Sequence, residues 1–119
     1  YFESSFRNLR RYINQYIKLN TALNNSLKNL DLSHSIYEDG IKIIKKYFNQ
    51  KNILNSINID ITSLKSILKD KIKSNDFDDI SKLLDEFQAK SYSQLKDDKD
   101  EENMKKSLKK ILKRIDEYV

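Results

Sequence analysis

The sequence predicts an all-α protein: a small antiparallel bundle of about five helices with a long heptad-patterned helix at the N-terminal end. Three observations carry this expectation. The 119 residues include one glycine and no proline, so the turn residues that an all-β chain needs at every reversal are missing. Apolar residues recur at intervals of three and four instead of alternating, which is the helical period. Acidic, amide or hydroxyl residues stand just ahead of each later periodic stretch, where they can accept amide hydrogen bonds at a helix start.

In the first element Phe2, Phe6, Leu9, Ile13, Tyr16, Leu23, Leu27 and Leu30 keep a regular 4-3 alternation, with Asn20 at the one remaining position. That is a coiled-coil type seam about four heptads long. It predicts a helix over 2–30 and a surface, Phe2 to Leu30, through which copies of the chain can associate. Asn20 admits two readings: an amide that fixes register by pairing with its counterpart, or a rim residue bonded to nearby backbone.

The same register continues through His34, Tyr37, Ile41, Ile44 and Phe48, so one helix competes with two. An unbroken helix from 2 to 48 would run about 70 Å at 1.5 Å per residue. A compact chain of this length is only roughly 35 Å across. Asp31, Ser33 and Ser35 are weak interior residues, and Ser35 with Glu38 has capping-box spacing. A break at 31–35 and a second helix over 36–57 follow.

Later elements repeat the logic. Asp60 precedes Ile61, Leu64, Ile67, Leu68 and Ile72, giving a third helix over 61–73. Asn75 and Asp76 precede Phe77, Ile80, Leu83, Leu84 and Phe87, giving a fourth over 77–95. Asp98 stands three residues before Glu101 and opens a fifth over 99–118, whose apolar stripe is Met104, Leu108, Ile111, Leu112 and Ile115. Short polar connections of this kind join antiparallel neighbours in bundles.

Length and composition bound the rest. A chain of this size makes one helical domain over 1–119, and its start at Tyr1, in mid-pattern, suggests a processed product or an excised part of a longer chain. Without cysteine there is no disulfide framework, zinc ribbon or thiol nucleophile. Adjacent apolar residues come at most in pairs, far from the roughly 20 needed to span a bilayer. The net charge of +5 is uneven. Residues 1–60 carry nine basic and five acidic groups, 61–103 eight and eleven, and 104–119 six and two. Antiparallel helices of opposite sign can satisfy much of this internally.

Catalytic and metal chemistry are poorly supplied. His34 is the only histidine, and its sequence neighbours Asp31, Ser33, Ser35 and Asp39 do not make a triad, which requires groups brought together by a fold. The acidic runs Asp76, Asp78, Asp79 and Asp97, Asp98, Asp100, Glu101, Glu102 lack the alternating ligands and the turn glycine of a calcium loop. Gly40 stands alone, so no phosphate-cradling glycine loop exists. The expectation is no enzyme, no metal and no cofactor.

Two basic features remain. Arg7, Arg10 and Arg11 are three of the four arginines, and guanidinium forks bind carboxylate and phosphate bidentately. Lys105, Lys106, Lys109, Lys110, Lys113 and Arg114 surround the apolar stripe of the last helix and make it basic and amphipathic. These nine residues are the candidate binding residues. The sequence therefore points to a non-catalytic helical protein–protein interaction domain, an assembly domain or a surface or secreted binding domain, whose partner is another protein met through an acidic surface. The alternative is a basic helical module for nucleic acid or an anionic membrane. Reversing the charges of Lys105, Lys109 and Lys113 is expected to spare the fold.

Overall fold

The computed structural model describes residues 21–92 and 97–119, and within them the only regular structure is helical. Residues 21–32 form α1, followed by α2 (Ile36–Gln50), α3 (Ile61–Lys71), α4 (Ser74–Ser91) and α5 (Asp98–Asp116). Most of the predicted Phe2–Leu30 seam, including Asn20, and the cluster Arg7, Arg10 and Arg11 lie outside the described residues.

The break after α1 falls where the polar residues cluster, but its mechanism differs from a capping box. Ser35 is the N-cap of α2 and its carbonyl accepts the Asp39 amide at 2.9 Å, yet its buried hydroxyl has no hydrogen-bond partner. Glu38 stays exposed. The side-chain bond is made instead by Ser33, whose hydroxyl donates to Asp39 Oδ2 at 2.7 Å. In the described part of the seam the fully buried line is Ala22, Ser26 and Leu30, with Leu23 and Leu27 only partly covered. The helix is thus rotated slightly from the face that its leucines define. The buried positions 22 and 26 carry small side chains, and the Ser26 hydroxyl donates to the Ala22 carbonyl one turn earlier at 2.9 Å.

The second helix is shorter than its expected span of 36–57. Lys51 caps it, and Asn52 takes the left-handed conformation at φ 63°, which asparagine tolerates better than most residues. The chain then turns back so that the Ile53 and Leu54 amides both reach the Phe48 carbonyl. Leu54 enters the core at 2% exposure. Helix α3 starts as expected, with the Asp60 carboxylate accepting the Ser63 amide at 2.7 Å. The hydrogen bond from the Ser63 side chain, then that from its backbone amide, lowers the Asp60 pKa.

The fourth helix begins three residues before its expected start at 77. Lys73 occupies its N-cap without a side-chain bond, so Asn75 and Asp76 lie inside the first turn and do not cap it. The Asp76 carboxylate is needed elsewhere. At α5 the capping carboxylate is Asp97, one residue ahead of the expected Asp98, accepting the Lys99 amide at 3.0 Å.

Helix α4 is the centre of the bundle, in contact with α2, α3 and α5. Lys90 meets Asp100, and Arg114 meets Asp76, so α4 and α5 are antiparallel. Tyr37 meets Asp100, and Tyr47 meets Asp116, so α2 and α5 run in the same direction. The core gathers Ile36, Ile44, Phe48, Leu64, Leu68, Ile80, Leu84, Phe87, Leu108, Leu112 and Ile115, all but fully covered. Met104, Leu108, Ile111, Leu112 and Ile115 form the buried stripe of α5, as the periodicity predicts.

Candidate binding surface on the last helix

Once the apolar stripe of α5 is buried, its cations fall on three faces, because successive residues are turned by about 100°. On the flank towards α1, Lys105 donates to the Ser33 carbonyl at 2.9 Å and Lys109 pairs with Asp31. On the flank towards α4, the guanidinium of Arg114 bridges Asp76 at 2.8 Å and Asp79 at 2.6 Å. The bond to Asp79, ahead of the attraction of Asp76, raises the Arg114 pKa. Lys106, Lys110 and Lys113 occupy the outward face, exposed and with no ion-pair partner among the described residues.

The six candidates of this helix are therefore split. Lys105, Lys109 and Arg114 hold α5 to its neighbours, whereas Lys106, Lys110 and Lys113 form a strip without ion pairs among the described residues. The charge-reversal set Lys105, Lys109 and Lys113 mixes the two groups, since two of its members bond to α1 or to the Ser33 carbonyl that follows it.

Three tyrosines fix the position of α5 and were not singled out by sequence. Tyr37 donates to Asp100 Oδ2 at 2.5 Å, and the same oxygen takes Lys90 at 2.7 Å. Tyr47 donates to Asp116 Oδ1 at 2.6 Å beside Lys51 at 2.7 Å. Tyr118 donates to Asp76 Oδ2 at 2.6 Å, opposite Arg114. Each carboxylate thus lies between a phenol and a cation. Such charge-assisted bonds are the stronger class. Burial, then donation to the carboxylate, pushes all three hydroxyls up, Tyr118 to about 12. The Lys90 bond, then the Tyr37 bond, lowers Asp100. Phenols held protonated in this way are structural donors, the opposite of a general base. A tyrosine and an aspartate 42 to 69 positions apart leave no local pattern by which sequence could pair them.

Two grooves among the described residues bear on binding. Between α4 and α5 a cleft of about 440 Å³ is lined by Lys82, Lys110 and Arg114 and by Asp79, Glu86 and Asp100, so Lys110 belongs both to the outward strip and to the edge of this cleft. Between α1 and α2 a cleft of about 270 Å³ is lined by Asn29, Leu32, Ser33, Asp39, Lys42, Ile43 and Lys46. His34 is exposed at the helix break. No group of three or more metal-ligating side chains assembles among the described residues. No described helix is long and apolar enough to cross a membrane.

No protein-family model matches the chain, and neither a curated protein nor a solved structure resembles it closely enough to count as a match.

Proposed function

We propose that this chain is a non-catalytic helical module that binds another protein, and that the outward strip of α5 captures an acidic surface of that partner. The observation that carries this is the division of the α5 cations. The flanking cations Lys105, Lys109 and Arg114 are matched to carboxylates or a carbonyl, while Lys106, Lys110 and Lys113 are left without ion-pair partners among the described residues on one face. A field of unpaired like charges raises the encounter rate with an opposite surface and rejects surfaces of the same sign. The bundle behind it holds the strip in place, since α5 is anchored near both ends by tyrosine–carboxylate–cation contacts.

The test is affinity capture with the parent and with a Lys106→Glu/Lys110→Glu/Lys113→Glu variant of equal helicity, read by mass spectrometry with a nuclease-treated sample in parallel. The reading expects proteins that survive nuclease and are lost with the variant. Recovery dominated by nucleic acid or anionic lipid, with association collapsing steeply as salt rises, assigns the strip to the alternative partner class. Equal recovery by parent and variant removes the strip from binding altogether.

A further inference from the structure

The groove between α1 and α2 combines an exposed aliphatic side chain with unpaired cations. Leu32, the last residue of α1, is 65% exposed. It lines the groove together with Ile43, 6% exposed, and with Lys42 and Lys46, both exposed and without an ion-pair partner among the described residues. Asp39 is the one carboxylate in the lining, set against Lys42 and Lys46, and Glu38 is near in sequence. Asp39 Oδ2 already accepts the Ser33 hydroxyl, and Glu38, one turn before Lys42, forms no ion pair with it. The groove therefore offers an uncovered aliphatic side chain together with two ammonium groups against one carboxylate, and Asn29 completes its polar lining.

A single exposed leucine is ordinary on a protein surface, and so is a lysine pair. Their coincidence in one concavity is what selects a ligand. At about 270 Å³ the cleft falls below the roughly 300–1,000 Å³ of small-molecule sites, which suits one apolar side chain of a larger partner and not a free cofactor. The larger α4–α5 cleft lacks this combination because its lining carries as many carboxylates as cations, and its apolar residues Leu83, Met104 and Ile111 are as covered as Ile43 with no exposed counterpart of Leu32.

The geometry points to the α1–α2 groove as a docking site for an acidic protein segment bearing one large apolar side chain, the apolar group seated on Leu32 and Ile43 and its flanking carboxylates meeting Lys42 and Lys46. This deepens the protein-binding reading and rests on it, but it occupies a different surface from the α5 strip, so the two fail separately.

The experiment titrates the ¹⁵N-labelled full chain with a synthetic twelve-residue peptide of Glu, Ser and one central Leu, followed by backbone amide shifts. Control peptides replace Leu by Ser or every Glu by Lys. Shifts concentrated at Leu32, Lys42, Ile43 and Lys46 are expected, with affinity reduced at least tenfold by either control peptide, by Leu32→Ser and by Lys42→Glu/Lys46→Glu. The Lys106→Glu/Lys110→Glu/Lys113→Glu chain should bind this peptide as the parent does. Absence of binding overturns the proposal, as does a shift map centred on the α4–α5 cleft. Equal affinity for the Ser control, or displacement of the peptide by oligouridylate or by anionic vesicles at equivalent charge, also overturns it, because the groove would then be only an anion collector. Loss through the α5 substitutions alone would sink the groove while leaving the protein-binding reading standing.

Discussion

Gly40 of α2 lies against the ring of Phe87 of α4 so closely that a Cβ at position 40 would stand 2.6 Å from Phe87 Cε2 and 2.8 Å from Cδ2. Phe87 is fully buried and cannot step aside. The only glycine of the chain thus serves helix packing.

Gly40→Ala tests that contact against helix propensity. Alanine is favoured over glycine in a helix interior by about 1 kcal/mol, whereas overpacking a tight core costs about 1–3 kcal/mol. The variant is expected to melt below the parent in spite of its better helix former. Adding Phe87→Leu should cost less in the Gly40→Ala background than in the parent, and additive losses would show that the two positions do not touch.

The carboxylate of Asp116 is the counter-ion of a nearly buried lysine, since the Lys51 side chain keeps only 5% exposure. Asp116→Ala leaves that ammonium unpaired and is expected to cost about 3–5 kcal/mol. Tyr47→Phe removes only the donated bond and should cost about 1.5–3 kcal/mol. Tyr92→Phe, at a position 86% exposed, should change nothing measurable. Urea unfolding of the three variants gives the order directly.

Stability should also fall in base. Tyr37, Tyr47 and Tyr118 have hydroxyl pKa values raised above the ordinary tyrosine value near 10. A raised folded-state pKa contributes stability that is complete below the unfolded value and is lost as pH rises through the folded one. Unfolding free energy is therefore expected to hold to about pH 10 and then decline. Absorbance at 295 nm should show these three hydroxyls ionising above the ordinary tyrosine value. Asp100 acts at the other end of the scale: its lowered pKa contributes above the ordinary aspartate value near 3.9 and is lost as pH falls through the folded one.

Charge reversal should separate the two kinds of lysine. Lys106→Glu/Lys110→Glu/Lys113→Glu touches only unpaired, exposed groups and is expected to stay within about 0.5 kcal/mol of the parent. Lys105→Glu/Lys109→Glu sets a carboxylate beside Asp31 and removes the bond to the Ser33 carbonyl. It should destabilise by up to about 1 kcal/mol, the scale of exposed pairs, with faster amide exchange at the end of α1.

The sequence made the helices legible because periodicity is a local property. The buried stripe of α5 and the Asp60 cap both follow from residues a few positions apart. Boundaries that depend on distant groups did not follow. Asp76 looks like a cap but is held by Arg114 and Tyr118 across the bundle, so α4 extends back to Ser74. Lys51 to Asn58 carries apolar residues at helical intervals, yet the left-handed turn at Asn52 ends α2 early. The binding residues are mixed in the same way. Adjacent lysines read as one basic patch, but rotation about the helix axis sends Lys105 and Lys109 to α1 and Lys106 and Lys110 to solvent.

The division of the α5 cations is tested most directly by lysine footprinting with an amine-reactive ester on the free protein and on the captured complex, quantified site by site by mass spectrometry. The account predicts that Lys106, Lys110 and Lys113 label fast in the free protein and become protected in the complex, while Lys51 labels slowly in both. Slow labelling of those three lysines in the free protein, or protection that leaves them fully reactive in the complex, would contradict it.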